Sequence, residues 1–208
     1  MARWFTADLH FGHENIITYC SRPFASVDEM NRALIARWNE VVEPTDEVWI
    51  LGDVALGPIG RSLELIAELN GTKRLVAGNH DRCFEEVRRA GQDGTGQGGR
   101  WTLRYREAGF VSVLAGPTNI EIAGRTAQMS HFPYWGDSHA EDRFEAHRPV
   151  DTGDWLLHGH VHTQWRTNER MINVGVDVWD YAPVPERTIQ AIVDSELQSQ
   201  DTRRRLPI

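Results

Sequence analysis

The 208-residue chain predicts an α/β fold with mixed strands. Short apolar, strand-like runs alternate along it with stretches of helical spacing. Polar residues of metal-ligating type also directly follow five of those runs, at the carboxyl ends where α/β folds place their sites.

In chain order, residues 3–7 (RWFTA) read as a short strand. Ser26-Val27-Asp28-Glu29 forms a capping box, in which Ser26 caps the helix and Glu29 reaches back. The helix that follows carries Met30, Leu34, Ile35, Trp38 and Val41 at helical spacing. Residues 47–51 (EVWIL) predict a strand, and 61–69 a helix with Leu63, Ile66 and Leu69 on one side. A strand at 73–77 (KRLVA) and a short helix at 82–89 come next. The stretch 91–99, GQDGTGQGG, has five glycines and no apolar anchor, which predicts a mobile surface loop. No Gly-Lys-Ser/Thr follows, as a phosphate-cradling loop would require. Residues 101–108 read as helix, then 111–115, 119–123 and 125–129 as strands. A long loop rich in His, Asp and aromatics covers 131–150, followed by strands at 155–158 and 171–174. After Pro185, residues 186–198 predict a last helix through Ile189, Ile192, Val193 and Leu197. The tail 199–208 reads as frayed. Without repeats or an evident boundary, 1–208 reads as a single domain.

Composition narrows the function. The formal net charge of -8 argues against duplex nucleic acid as a partner. A small anionic substrate stays open, because a bound metal reverses the local field. The opening MARWFTADLH lacks a basic region ahead of a long apolar core, so no signal peptide is expected. No apolar run reaches the roughly 18 residues of a membrane span. Cys20 and Cys83 make no disulfide framework, and they read as reduced thiols of a cytoplasmic protein.

The five run ends carry the chemistry. Asp8-Leu9-His10 follows RWFTA, Gly52-Asp53 follows VWIL, and Gly78-Asn79-His80-Asp81 follows RLVA. Ser130-His131 follows TAQM, and Gly159-His160-Val161-His162 follows WLLH. Asp8 and His10, like His160 and His162, are two residues apart and face one side of an extended segment. Gly52, Gly78 and Gly159 let the backbone turn close to a site. Asp, Asn and His together suit Mn, Fe, Zn, Co or Ni, and the absence of cysteine from every motif argues against structural zinc.

In this order DLH, GD, GNHD, an isolated His and GHVH resemble the calcineurin-like metallophosphoesterase family, from residue 8 to 162. NVG at 173–175 resembles the strand that follows GHxH in that family. Protein phosphatases of the family resemble GDxVDRG and GNHE, whereas this chain has GDVALG and GNHD. Together with FGHENIITYCSRPF and NVGVDVWDYAPV, that is more similar to the small bacterial and phage phosphodiesterases.

The resemblance implies an αββα sandwich: two mixed sheets flanked by helices, with a dinuclear metal site at the strand carboxyl ends. It implies Asp8, His10 and His162 as ligands of one metal, Asn79, His131 and His160 as ligands of the other, and Asp53 as the bridge. Two divalent transition-metal ions are implied, manganese first, with Fe, Zn, Co or Ni as alternatives. The implied reaction is hydrolysis of phosphodiesters, 2′,3′-cyclic nucleotides included, by a metal-bridging hydroxide. Phosphomonoester hydrolysis is the rival, and a non-catalytic scaffold of the same fold a weaker one. His80 would assist the leaving group, with Asp81 orienting its ring. His158 reads as a support for the two ligands after it. His13, Asn15, Arg82 and Arg143 are the substrate candidates, and Arg22, Tyr134 and Trp179 could also reach the site. His139 and His147 read as plain loop residues. The expected partner is a small phosphoester or nucleotide, with no membrane involved and the oligomeric state open.

Overall fold

The computed structural model describes residues 1–90, 99–122 and 124–205, with 199–205 described by backbone alone. The expected glycine-rich loop, apart from Gly99, and residues 206–208 lie outside the described residues.

Strands β1 (Arg3–Thr6), β2 (Glu47–Ile50), β3 (Thr72–Val76) and β4 (Phe110–Leu114) run parallel in one sheet. The second sheet contains β5 (Thr118–Ile122), β6 (Arg125–Met129), β7 (Trp155–His158), β8 (Thr167–Asn168) and β9 (Met171–Asn173) in the order β5-β6-β7-β9-β8. Its centre, β6-β7-β9, is parallel, and each edge strand is antiparallel to its neighbour. A two-residue strand, β10 (Val184–Pro185), joins the first sheet antiparallel to β1. Both sheets are therefore mixed, and among the described residues six α-helices accompany them: α1 (Glu14–Tyr19), α2 (Val27–Val41), α3 (Ile59–Glu64), α4 (Phe84–Ala90), α5 (Arg100–Glu107) and α6 (Glu186–Arg205).

Strand alternation builds two cores. Trp4, Val48 and Leu75 face Met30, Leu34 and Trp38 of α2, along with Leu63, Ile66 and Tyr105. Phe5, Leu51 and Val76 point the other way, against Ile120, Met129, Leu157 and Ile172 of the second sheet, with Ile189 and Val193 of α6. Each such side chain contributes about 1.5–3 kcal/mol on burial. Helix α2 starts as its sequence dictates. Ser26 Oγ accepts from the Glu29 N–H at 3.2 Å, while Glu29 receives the Ala25 N–H at 2.9 Å, one residue before the expected donor.

Register brings the strand ends level. Thr6 pairs with Ile50 and Ile50 with Leu75; Met129 pairs with Leu157 and Leu157 with Ile172. The two sheets meet just beyond, through the parallel bridge Ala7–Gly175. The stretches after five strands thus emerge on one rim.

Several elements depart from expectation. Helix α1 has only six residues with Ile16 as its one buried side chain, too few for a periodicity to show. The expected 61–69 helix splits into α3 and a 3-10 turn at Leu65–Glu68. Helix α6 continues past 198 because no glycine or proline interrupts the sequence before Pro207. Residues 199–205 of the expected frayed tail are therefore helical in backbone.

Candidate metal centre

The turns after the strands are unusual in their backbone. Asp8 (φ 57), His10 (52), Asp53 (55), His160 (70) and His162 (48) all occupy the left-handed region, which non-glycine residues seldom adopt and which clusters at functional sites. This conformation curls each short segment so that alternate side chains turn inward at the rim. Glycines make room. Gly52 sits at φ 87, and a Cβ there would lie 2.5 Å from His131 Nδ1. A Cβ on Gly159 would lie 2.7 Å from Asp8 Oδ2.

Donor atoms of Asp8, His10 and His162 lie within 4.8 Å of one another, which brings the first predicted ligand set together. The Asp8 carboxylate accepts the His160 N–H at 3.0 Å. His162 Nδ1 lies 2.9 Å from Asp177 Oδ2, and Asp177 is held by Arg22 at 2.8 and 3.0 Å. A carboxylate can only accept, so Nδ1 carries a proton and Nε2 is the atom left to face a metal. Both ring nitrogens of buried His10 lack a hydrogen-bond partner among the described residues. Orphaned buried polar atoms of this kind are rare, and a cation would take the lone pair of the unprotonated one.

Asp53 joins Asp8 and His131 in a second cluster of the same tightness. Its Oδ2 stands 3.6 Å from His10 Nε2 and 3.4 Å from His131 Nε2, between the two sets. His131 Nδ1 donates to the Leu51 carbonyl at 2.8 Å, so its Nε2 is unprotonated. That Nε2 faces Asn79 Oδ1 at 3.1 Å. Two acceptors and a carboxylate oxygen thus converge with no proton among them, an arrangement that a cation relieves. His160 Nε2 donates to Asp137 Oδ2 at 3.1 Å, which leaves Nδ1 as its ligand atom.

Electrostatics agree. Burial pushes the Asp8 and Asp53 carboxyls up, against the pull of nearby histidines. Burial also pushes His10 well down, lowers His131, and brings His160 to about 3, so these rings are neutral and their lone pairs free. Burial opposes a charge on His162, but Asp8 and Asp177 outweigh it and raise its pKa well above the usual value. Divalent cations would discharge the buried carboxylates and use the neutral rings, so the residues fit two such ions.

A cavity of about 450 Å³ opens over the centre, with His10, His13, Tyr19, His80, Arg143 and Gln164 in its wall. His80 is half-exposed there, 4.0 Å from Asp53 Oδ2, and its N–H donates to Asp53 Oδ1 at 2.9 Å. Asp81 does not orient the His80 ring as expected. Its carboxylate is buried and accepts from the backbone N–H groups of Asp53 (2.9 Å), Val54 (3.1 Å) and Gly78 (2.8 Å), and from the Tyr105 hydroxyl (3.1 Å). Burial, with Asp53 beside it, pushes its pKa up to about 6. Asp81 therefore ties the second and third turns together.

Of the substrate candidates, His13 and Arg143 reach the cavity; Asn15 and Arg82 do not line it. Arg82 lies over the Trp101 ring at 5.8 Å. Arg22 is buried and spent on Asp177 and on the Leu9 and Asp8 carbonyls. Tyr134 and Trp179 hydrogen-bond to the backbone of Asp154 and Asn173. His158 is buried with Nδ1 on the Gly159 carbonyl at 2.7 Å, in keeping with a supporting role. His139, read as a plain loop residue, lines the cavity, whereas His147 packs on Phe84 and Phe132. Sequence reasoning missed Asp137 and Asp177, which lie 23 and 15 residues from the histidines they hold.

A family model described as the calcineurin-like phosphoesterase superfamily domain matches residues 1–189. The chain is 37% identical over 193 residues to the Gene 66 protein of Mycobacterium phage D29, covering 88% of this chain and 92% of that protein. It is 30% identical over 200 residues to the uncharacterized protein MJ1445 of Methanocaldococcus jannaschii, covering 92% and 90%. Among solved structures, the protein of unknown function AQ665 from Aquifex aeolicus superposes with a TM-score of 0.69 at 26% identity, covering 92% of this chain and 98% of that one.

Proposed function

Because the chain belongs to the calcineurin-like phosphoesterase superfamily, we propose that it hydrolyses phosphodiesters, 2′,3′-cyclic nucleotides among them, at a dinuclear centre. Asp8, His10 and His162 would hold one ion and Asn79, His131 and His160 the other, with Asp53, which stands between the two sets, serving both. The observation that carries this reading is the convergence of unprotonated donors: the orphaned His10 ring, and His131 Nε2 facing Asn79 Oδ1 at 3.1 Å.

When bound, two divalent ions supply activation of the attacking water and polarisation of the phosphoryl oxygens. The chain's own residues do the rest. His80, open to the cavity and anchored by its N–H on Asp53, donates a proton to the departing alkoxide. Asp81 keeps His80 in place through the backbone. Arg143, with its side chain 40% exposed at the cavity wall, contacts a non-bridging phosphate oxygen. His13 lies beside His10 at 5.2 Å between ring centroids and contacts the substrate. Manganese is the ion we assign. The free thiols Cys20 and Cys83 support a cytoplasmic setting, and no helix among the described residues is long and apolar enough to cross a membrane.

The test is hydrolysis of bis(p-nitrophenyl) phosphate against p-nitrophenyl phosphate by manganese-loaded protein, with Asp53→Ala as control. Diester turnover that vanishes in the variant is expected, and a cyclic-nucleotide panel follows. Preference for the monoester would replace the reading by phosphomonoester hydrolysis.

A further inference from the structure

The metals do not decide between diester and monoester, because the attack on phosphorus is the same for both. The difference lies in the second organic group, which a diester carries and a monoester lacks. The cavity is two-sided in this respect. One wall, from the 131–150 loop, is polar: Ser138, His139 and Arg143. The other is largely apolar and comes from α1 and the turn after β2: Ile16, Tyr19 and Leu56.

Tyr19 stands out on that wall. Helix α1 docks through Ile16, which is buried, whereas Tyr19 is 72% exposed and serves no packing need. It is connected to the centre by a short run of rings. His10 and His13 are 5.2 Å apart between centroids, and His13 and Tyr19 are 6.2 Å apart at 76°, nearly edge-on. An exposed aromatic face thus begins two rings from a ligand of the first metal. His80, the group assigned to the leaving oxygen, is 6.5 Å from His13 between ring centroids. The substituent that stays on phosphorus has this wall available to it.

We propose that Ile16, Tyr19 and Leu56 form the subsite for the group a phosphodiester keeps through hydrolysis, and that Tyr19 stacks on a nucleobase there. The proposal rests on the phosphodiesterase reading above. Base–aromatic stacking tolerates any base, because every base has a π-face. The subsite therefore selects nucleoside esters over small alkyl esters without reading base identity.

Two substrates with the same leaving group isolate the effect: thymidine 5′-(p-nitrophenyl) phosphate and methyl p-nitrophenyl phosphate. Manganese-loaded wild-type protein is expected to favour the nucleoside ester in kcat/KM, chiefly through KM. Tyr19→Ala should cut that preference about tenfold, with the bound manganese unchanged by elemental analysis. Tyr19→Phe, which keeps the ring, should retain the preference. Hydrolysis of both diesters with a preference that Tyr19→Ala leaves intact, or no preference in the wild type, would overturn the subsite and leave the phosphodiesterase reading standing. Hydrolysis of neither diester by metal-loaded protein would overturn that reading, and the subsite with it.

Discussion

His162 and His160 are each braced by an aspartate that an arginine holds in turn, and the two braces end in different places. In the first, His162 Nδ1 donates to Asp177 at 2.9 Å, and Arg22 grips Asp177 at 2.8 Å. Both side chains of that ion pair are wholly buried, and Arg22 also donates to the Asp8 carbonyl at 2.7 Å. In the second, His160 Nε2 donates to Asp137 at 3.1 Å, and Arg143 meets Asp137 at 2.8 Å from the cavity wall. The braces fix opposite tautomers, leaving Nε2 of His162 and Nδ1 of His160 for metal. In both, burial of the carboxylate is outweighed by its partners, which hold Asp177 and Asp137 below the usual range. One set of residue types thus does two jobs. The Arg22 brace locks the first turn into the core, while the Arg143 brace leaves a guanidinium edge open to the cavity.

If that distinction holds, the largest effect belongs to Arg22→Ala. It strands the buried Asp177 carboxylate and should cost about 3–5 kcal/mol of stability, visible as a sharp fall in the thermal midpoint. Equal losses in Arg22→Ala and Arg143→Ala would erase the difference between the braces. Next comes Asp137→Ala, which frees the His160 ring and should weaken metal at the second position about 10–100-fold, read by calorimetric titration; the first position should hold its affinity. Smaller is Arg143→Lys. Loss of the planar fork should raise KM severalfold with kcat and manganese stoichiometry nearly constant. A fall in metal content instead would make Arg143 part of the support for His160 alone. Least is the effect of Arg143→Ala on stability: the Arg143 side chain is 40% exposed, and the buried Asp137 carboxylate keeps the His160 ring and the backbone N–H groups of residues 139 and 143, so the loss should stay at about 1 kcal/mol, measurable by denaturant unfolding.

The residues that converge at the rim were legible in the sequence because each directly follows an apolar run, so a strand end carries it to the site. Their supports were not. Asp137 and Asp177 sit in segments with no period of their own and reach their histidines only through the tertiary fold. Asp81 shows the opposite failure. Adjacency to His80 suggested contact, yet after a tight turn neighbouring side chains diverge, and Asp81 collects three backbone N–H groups instead. The sheets followed the same rule. Strands long enough to alternate were visible, whereas β8 and β10, at two residues each, exist only because a neighbouring strand pairs with them.

The left-handed backbone at Asp8, His10, Asp53, His160 and His162 restricts the vocabulary of the centre. Among side chains with a Cβ, only Asn, Asp and His take that conformation with some ease, and all three are oxygen or nitrogen donors. Glutamate or cysteine at these five places would bring a longer arm or a softer donor and would also meet a peptide geometry that disfavours it by roughly 1–2 kcal/mol. Drift toward a softer or longer-armed metal site is therefore opposed by the chain itself, before any ion has expressed a preference.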